Sequence, residues 1–169
     1  MTLAIEATGL GMRFGARWAL QHADLQVPSG KVVGLVGANG AGKSTLLHLA
    51  VGLLQPSEGR IEVLGERPAS SPAQLAKVGF VAQDVPVYRS LTVAEHLTLG
   101  ARLNPSWNAS AAEARLAKID LDLGQRAGAL SGGQRAQLAL TLAIGKSPDL
   151  LLLDEPAAGL DPLARRQFL

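Results

Sequence analysis

Eight residues constrain this chain more than any others. Gly37-Ala38-Asn39-Gly40-Ala41-Gly42-Lys43-Ser44 stands between a short apolar run, Val32 to Val36, and an apolar, helix-like segment, Lys43 to Leu54. The spacing is G-x-x-x-x-G-K-S, and the flanks predict a strand, a loop and a helix in that order. Glycines let a backbone wrap an anion without Cβ clashes, and the amide donors of the loop and of the helix N-terminus then converge on it. That arrangement suits a phosphate. Lys43 would reach the terminal phosphates, the Ser44 hydroxyl could ligate Mg²⁺, which takes few protein ligands beside a nucleotide's oxygens, and Thr45 would extend the helix start. The plain alternative is a glycine-rich turn before an ordinary helix, and the correct flanks speak against it.

A second cluster is Leu150-Leu151-Leu152-Leu153-Asp154-Glu155-Pro156, an apolar strand ending in two carboxylates. Ligands of open parallel sheets bind at that end of a strand. Asp154 suits Mg²⁺, while Glu155, one residue further out, could orient and deprotonate an attacking water. A strand followed by a polar turn is the plainer reading of the same residues. The third cluster, Leu130-Ser131-Gly132-Gly133-Gln134, reads as a helix entry in which Ser131 caps and Gln134 closes the box. Two consecutive glycines weaken a helix, so the cap does not explain them, whereas exposed glycine amides at a helix N-terminus make a second anion site.

At 169 residues the chain fits one domain at about 150 residues each. Cysteine is absent, which excludes disulfides, thiolate zinc sites, iron-sulfur clusters and cysteine nucleophiles. Sixteen basic against fourteen acidic residues leave a net charge of +2, so no concentrated basic face and no nucleic-acid partner are expected. No apolar stretch is long enough for a membrane-spanning helix, and no secretory signal precedes Gly11, which sets the expectation of a cytoplasmic protein. Alternation at Leu3, Ile5 and Ala7 and at Ala19, Ala23, Leu25 and Val27 predicts a small antiparallel sheet. Further strands are expected at Gly59 to Leu64, Val78 to Ala82 and Leu150 to Leu153, the last buried on both faces as in a parallel sheet. Helices are expected over roughly residues 85–147, with capping boxes at Thr92/Glu95, Ser110/Glu113 and Ser131/Gln134. Asp161-Pro162 predicts another helix start, and the chain is expected to stop inside that helix.

The ordered set of phosphate loop, Gln83, L-S-G-G-Q and L-L-L-L-D-E-P resembles the nucleotide-binding domain of ATP-binding cassette (ABC) proteins, from about Leu3 to the last residue. L-S-G-G-Q is that family's signature. The resemblance implies an α/β fold: a P-loop NTPase core with a mostly parallel sheet, an N-terminal antiparallel β subdomain and a helical subdomain. It divides the chain into a core at about 1–84 and 146–169 and a helical part at about 85–145. It makes Gln83 the Q-loop glutamine, which contacts Mg²⁺ and water. Ala158-Gly159-Leu160-Asp161 matches the D-loop, and Phe14 falls where the family places an aromatic that stacks on adenine. Trp18 is a rival for that place, and core packing an alternative for both.

By the same resemblance ATP is held by Gly37, Asn39, Gly40, Ala41, Gly42, Lys43, Ser44 and Thr45 of one domain. Ser131, Gly132, Gly133, Gln134 and Asp161 of a second domain, packed head to tail, complete the site. Ser44, Gln83 and Asp154 are the implied Mg²⁺ ligands, and Glu155, Lys43 and Gln83 the catalytic set. The implied protein is an ABC transporter ATPase working with transmembrane permease subunits as a homodimer or with a paired ATPase subunit, at the inner face of the membrane. Leu91 to Leu97 and Glu155 to Pro162 resemble ATPases of small ABC-2 exporters. The family's switch histidine has no counterpart, since His22, His48 and His96 all precede Asp154 and read as surface or packing residues. Relative to the family the chain is therefore expected to be C-terminally truncated. A soluble ABC ATPase of DNA repair or translation is the rival, disfavoured by the lack of heptads, cysteines and a second cassette. An ATP-binding module without hydrolysis is the other; the missing histidine supports it for this chain, and the intact Asp154-Glu155 pair argues against it for the parent protein.

Overall fold

The computed structural model describes residues 2–119 and 121–156. The D-loop match at Ala158 to Asp161 and the expected helix start at Asp161-Pro162 therefore lie outside the described residues. The chain gathers into two compact units, residues 1–75 and 76–169.

In the first unit β1 (Leu3–Phe14), β2 (Arg17–Pro28) and β3 (Glu58–Val63) form an antiparallel sheet of order β2-β1-β3. The alternation predicted the sheet correctly. Gly15, at φ 59°, is the first of two residues joining Phe14 to Arg17, and glycine is the residue that a tight hairpin of this kind takes there. Ala4, Ile5, Ala7, Leu10 and Met12 of β1 are buried, as are Ile61 and Val63 of β3. Strict alternation fails along β1 because the pairing register shifts along the strand, and each shift changes the face a side chain meets. Helix α1 (Lys43–Ala50) packs its buried end, Leu49 and Ala50, toward this sheet. It stops at Val51 rather than running to Leu54, because Gly52 takes φ 76° and leaves the helical region.

The expected strand Val32 to Val36 is not formed. Residues 31–38 carry no regular secondary structure, and Val32 and Val36 are 105% and 93% exposed. An apolar run becomes a strand only when a neighbouring strand takes up its N–H and C=O groups, and none of the described strands pairs with this one. The parallel sheet accordingly has two strands among the described residues.

Those strands belong to the second unit: β4 (Val78–Val81) and β5 (Leu150–Leu153), in register from Val78 opposite Leu150 to Val81 opposite Leu153. The Asp154 N–H donates to Val81 O at 2.9 Å, so the ladder runs one residue past the strand. Of the four leucines only Leu152 is fully buried, so β5 is half-buried rather than covered on both faces. The six-residue helix α2 (Pro72–Lys77) leads into β4.

Between β4 and β5 lie α3 (Val93–Leu103), α4 (Ala109–Lys118), a 3₁₀ turn (Ala127–Ala129) and α5 (Gly132–Gly145). Their core is Val93, Leu116, Leu121, Ala127, Leu130 and Leu138. The Thr92/Glu95 and Ser131/Gln134 boxes are both present. The Ser110/Glu113 box is not, because Asn108 begins α4 two residues earlier and its side-chain Oδ1 accepts the Ala111 N–H at 2.9 Å. Trp107 fills a notch made by two glycines: a Cβ on Gly100 of α3 would stand 2.7 Å from its ring, and one on Gly145 of α5 2.6 Å.

Candidate nucleotide site

The glycine loop lies in the first unit. Ala41 N–H donates to Ala38 O at 3.1 Å, closing a turn, and Gly40 and Gly42 take φ 81° and 88°. Gly42 is doubly constrained, since a Cβ there would also lie 2.5 Å from Ala19 O. It is the N-cap of α1 and supplies no side-chain cap, and the first turn holds no acid. The amides of that turn are therefore left to an incoming acceptor, with the positive end of the helix behind them. Lys43 folds across the loop and donates from Nζ to Gly37 O at 2.9 Å and Ala38 O at 3.1 Å. Ser44 and Thr45 lie half-buried in the first turn, and Asn39 is exposed in the loop.

At the hairpin end Phe14 is 53% exposed. Trp18, the rival for the stacking role, is already engaged: the Arg13 guanidinium lies 5.5 Å from its ring centre and its edge packs on Gly11. Phe14 is the ring with an open face.

The carboxylates lie in the second unit. The parallel ladder carries the ends of β4 and β5 to one edge and so brings Gln83 and Glu155 together across 72 residues of sequence, Gln83 Nε2 lying 3.4 Å from Glu155 Oε2. This is a long hydrogen bond, which a small movement would make or release. Glu155 takes φ 45°, a left-handed conformation that a non-glycine residue adopts only when its surroundings impose it. Asp154, beside it, is buried at 4% exposure. Gln83, Asp84, Gly132, Arg135 and Glu155 line one cavity of about 210 Å³. Arg135 was not anticipated; it follows Gln134 directly, and no spacing in the sequence marks it. Its guanidinium donates to Leu130 O at 2.6 Å and so braces the entry to α5.

Ser131 Oγ accepts the Gln134 N–H at 3.1 Å, and Gln134 Oε1 accepts the Ser131 N–H at 2.9 Å. A Cβ on Gly132 would meet nothing within 4 Å, so packing does not demand this glycine. An approach by a molecule from outside would. In the second unit Gln83 and Asp154 offer amide and carboxylate oxygens, hard donors of the kind Mg²⁺ takes, and the Gln83 amide oxygen is left over when its nitrogen faces Glu155. The Ser44 hydroxyl of the first unit is a donor of the same hard kind. No helix among the described residues is long and apolar enough to cross a membrane.

Known proteins resemble this chain in sequence and fold. The ABC transporter family model matches residues 20–158. The sulfate/thiosulfate import ATP-binding protein CysA of Nephroselmis olivacea is 38% identical over 173 residues, covering 99% of this chain and 50% of its own. The protein of the same name from Mycobacterium bovis is 37% identical, with 99% and 49% covered. Among solved structures, an ATP binding subunit of an ABC transporter superposes with a TM-score of 0.85 at 31% identity, covering 98% of this chain and 71% of that one. A bacterial Atm1-family ABC exporter with ATP bound gives 0.81 at 25% identity, with 98% and 31% covered. The chain thus spans about half the length of the curated relatives it matches.

Proposed function

Because the chain belongs to the ABC transporter family, we propose that it is an ATP-binding and ATP-hydrolysing subunit that powers transport by transmembrane permease partners. The observation that carries this reading is the pairing of Gln83 with the conformationally forced Glu155 at the strand ends. A carboxylate in that place accepts a proton from water as the water oxygen bonds to the γ-phosphorus and the bond to the bridging oxygen breaks. Gln83 holds the same water in line. Gly37 to Thr45 wrap the phosphates, Lys43 moves from its loop carbonyls to the terminal phosphates, and Phe14 stacks on the adenine. Ser44, Gln83 and Asp154 are the residues that would hold Mg²⁺, whose charge offsets that of the phosphates when it is bound.

Ser131, Gly132, Gly133 and Gln134 serve the nucleotide of a second copy or of a paired ATPase subunit, and Asp161, outside the described residues, completes that surface by the family pattern. Such a head-to-tail pair uses the same two surfaces twice. In this scheme residues 1–84 and 146–169 form the nucleotide core and 85–145 the helical part, and the subunit sits at the cytoplasmic face of the membrane through its partners. The curated relatives carry import in their names, while Leu91 to Leu97 resemble exporter ATPases; the ATP-driven step is common to both.

The test is the Mg²⁺-dependent ATPase rate per chain measured against protein concentration, with Lys43→Ala as the blank. The rate is expected to rise with concentration as pairs form. Lys43→Ala is expected to lose about 1.5 to 3 kcal/mol of nucleotide affinity, one charge-assisted contact. An unchanged ATP titration in that variant would remove the phosphate-loop assignment.

A further inference from the structure

His96 lies in the first turns of α3 at 3% exposure, and both ring nitrogens are used. Nδ1 is 2.8 Å from Thr92 O, a carbonyl that only accepts, so Nδ1 carries the proton. Nε2 is 3.1 Å from the Tyr88 backbone N, an amide that only donates, so Nε2 is bare. The two bonds together select the neutral ring in one tautomer.

The Tyr88 amide sits on a short tether to Gln83. Val85 N–H closes a turn on Ala82 O at 3.1 Å, Pro86 fixes its own φ, and Val87 packs on the helical core. Beyond Tyr88 the segment is stitched to the approach to the signature. Ala127 N–H donates to Leu91 O and Gly128 N–H to Arg89 O, each at 2.9 Å, Val93 N–H donates to Gln125 O at 3.0 Å, and the Arg126 guanidinium bonds Ser90 O. Leu130 and Ser131 follow directly.

We propose that His96 is a positioning residue for ATP hydrolysis: its unprotonated nitrogen pins Tyr88, and that pin, with the Arg126 clasp on Ser90, holds Gln83 in register with the signature helix. The proposal rests on the catalytic reading of Gln83. It assigns His96 no contact with nucleotide or water. The mechanical reason is the length of the tether, because with a turn, a proline and a half-buried valine packed on the core between them, movement of Tyr88 has little slack to absorb it before Gln83.

The experiment compares His96→Leu, His96→Gln and Arg126→Ala in the full-length chain, with ATPase kinetics and the exchange rate of the Tyr88 amide as readouts. His96→Leu removes both bonds, and His96→Gln returns a carbonyl to the Tyr88 N–H. Arg126 is exposed, so its alanine variant loosens the same segment without opening the core. The expected result is a kcat lowered roughly 10- to 100-fold in His96→Leu with the KM for ATP unchanged, the range that a displaced catalytic group costs. Faster Tyr88 exchange should accompany it, His96→Gln should recover most of the rate, and Arg126→Ala should show a milder loss of the same kind. Should His96→Leu fail to fold, the kcat and Tyr88 exchange of Arg126→Ala decide. Wild-type kcat in Arg126→Ala and in whichever histidine variants fold, or unchanged Tyr88 exchange, overturns the proposal. Gln83→Ala run in parallel separates the two readings: wild-type kcat there removes the role of Gln83 in hydrolysis, while Tyr88 exchange still reports whether the pin exists.

Discussion

A single backbone angle sets Glu155 apart from its neighbours. Its φ of 45° comes one residue after Asp154 has closed the ladder on Val81, so the fold, and not local preference, turns this side chain toward Gln83. Glu155→Gln keeps the size and the forced conformation while removing the proton acceptor. ATP binding is therefore expected to persist while single-turnover hydrolysis slows by roughly 10² to 10⁴. Gly42 makes the complementary case in the loop. Gly42→Ala adds a Cβ 2.5 Å from Ala19 O at a φ of 88°, and the expected cost is about 2 to 4 kcal/mol of stability with loss of ATP binding, read by denaturant unfolding and nucleotide titration. These residues were legible in the sequence because their chemistry is tied to fixed spacing. Arg135 and His96 were not, since their roles depend on which backbone groups come within reach after folding.

Elements begin where a side chain can satisfy the free N–H groups of a helix, and here the strongest acceptor sets the start. Asn108 outcompetes Ser110 for α4, so Asn108→Ala is expected to cost about 1 kcal/mol and Ser110→Ala close to nothing. Equilibrium unfolding of the two variants distinguishes them. Glu95 adds a pH dependence to α3. The Thr92 backbone N–H, then the Thr92 hydroxyl, hold its carboxyl below the usual carboxylate range. A value lowered on folding means stability that is present above the unfolded-state value and lost as pH falls through the folded one. Glu95→Gln keeps a side chain able to close the box but cannot titrate, so its unfolding temperature should fall less steeply below the usual carboxylate range than that of the parent. Three capping patterns were readable and two are formed. The third shows that a box spelled correctly in sequence still loses to a better cap two residues upstream.

At the scale of the whole molecule strand positions were legible for partners near and far in the chain, β4 and β5 included, and failed at Val32 to Val36. Alternation located β1 and β2, which form one hairpin, and the further strand expected at Gly59 to Leu64 became β3 beside them. Val32 to Val36 is an apolar run with no partner strand among the described residues, and its exposure shows that apolar content alone decides neither burial nor pairing. Hydrogen exchange should show the contrast: amides of residues 31–38 exchanging quickly, those around Leu138 and Leu140 in the buried face of α5 slowly. Uniform protection across both would contradict the described fold. Trp107 between Gly100 and Gly145 also has a spectroscopic use. The chain holds two tryptophans, Trp18 in the first unit and Trp107 in the second, so each unit carries its own intrinsic fluorophore. With Trp18→Phe in place, emission near the indole maximum comes from the α3–α5 notch alone. A shift in that emission on adding nucleotide would report the helical layer without an attached dye.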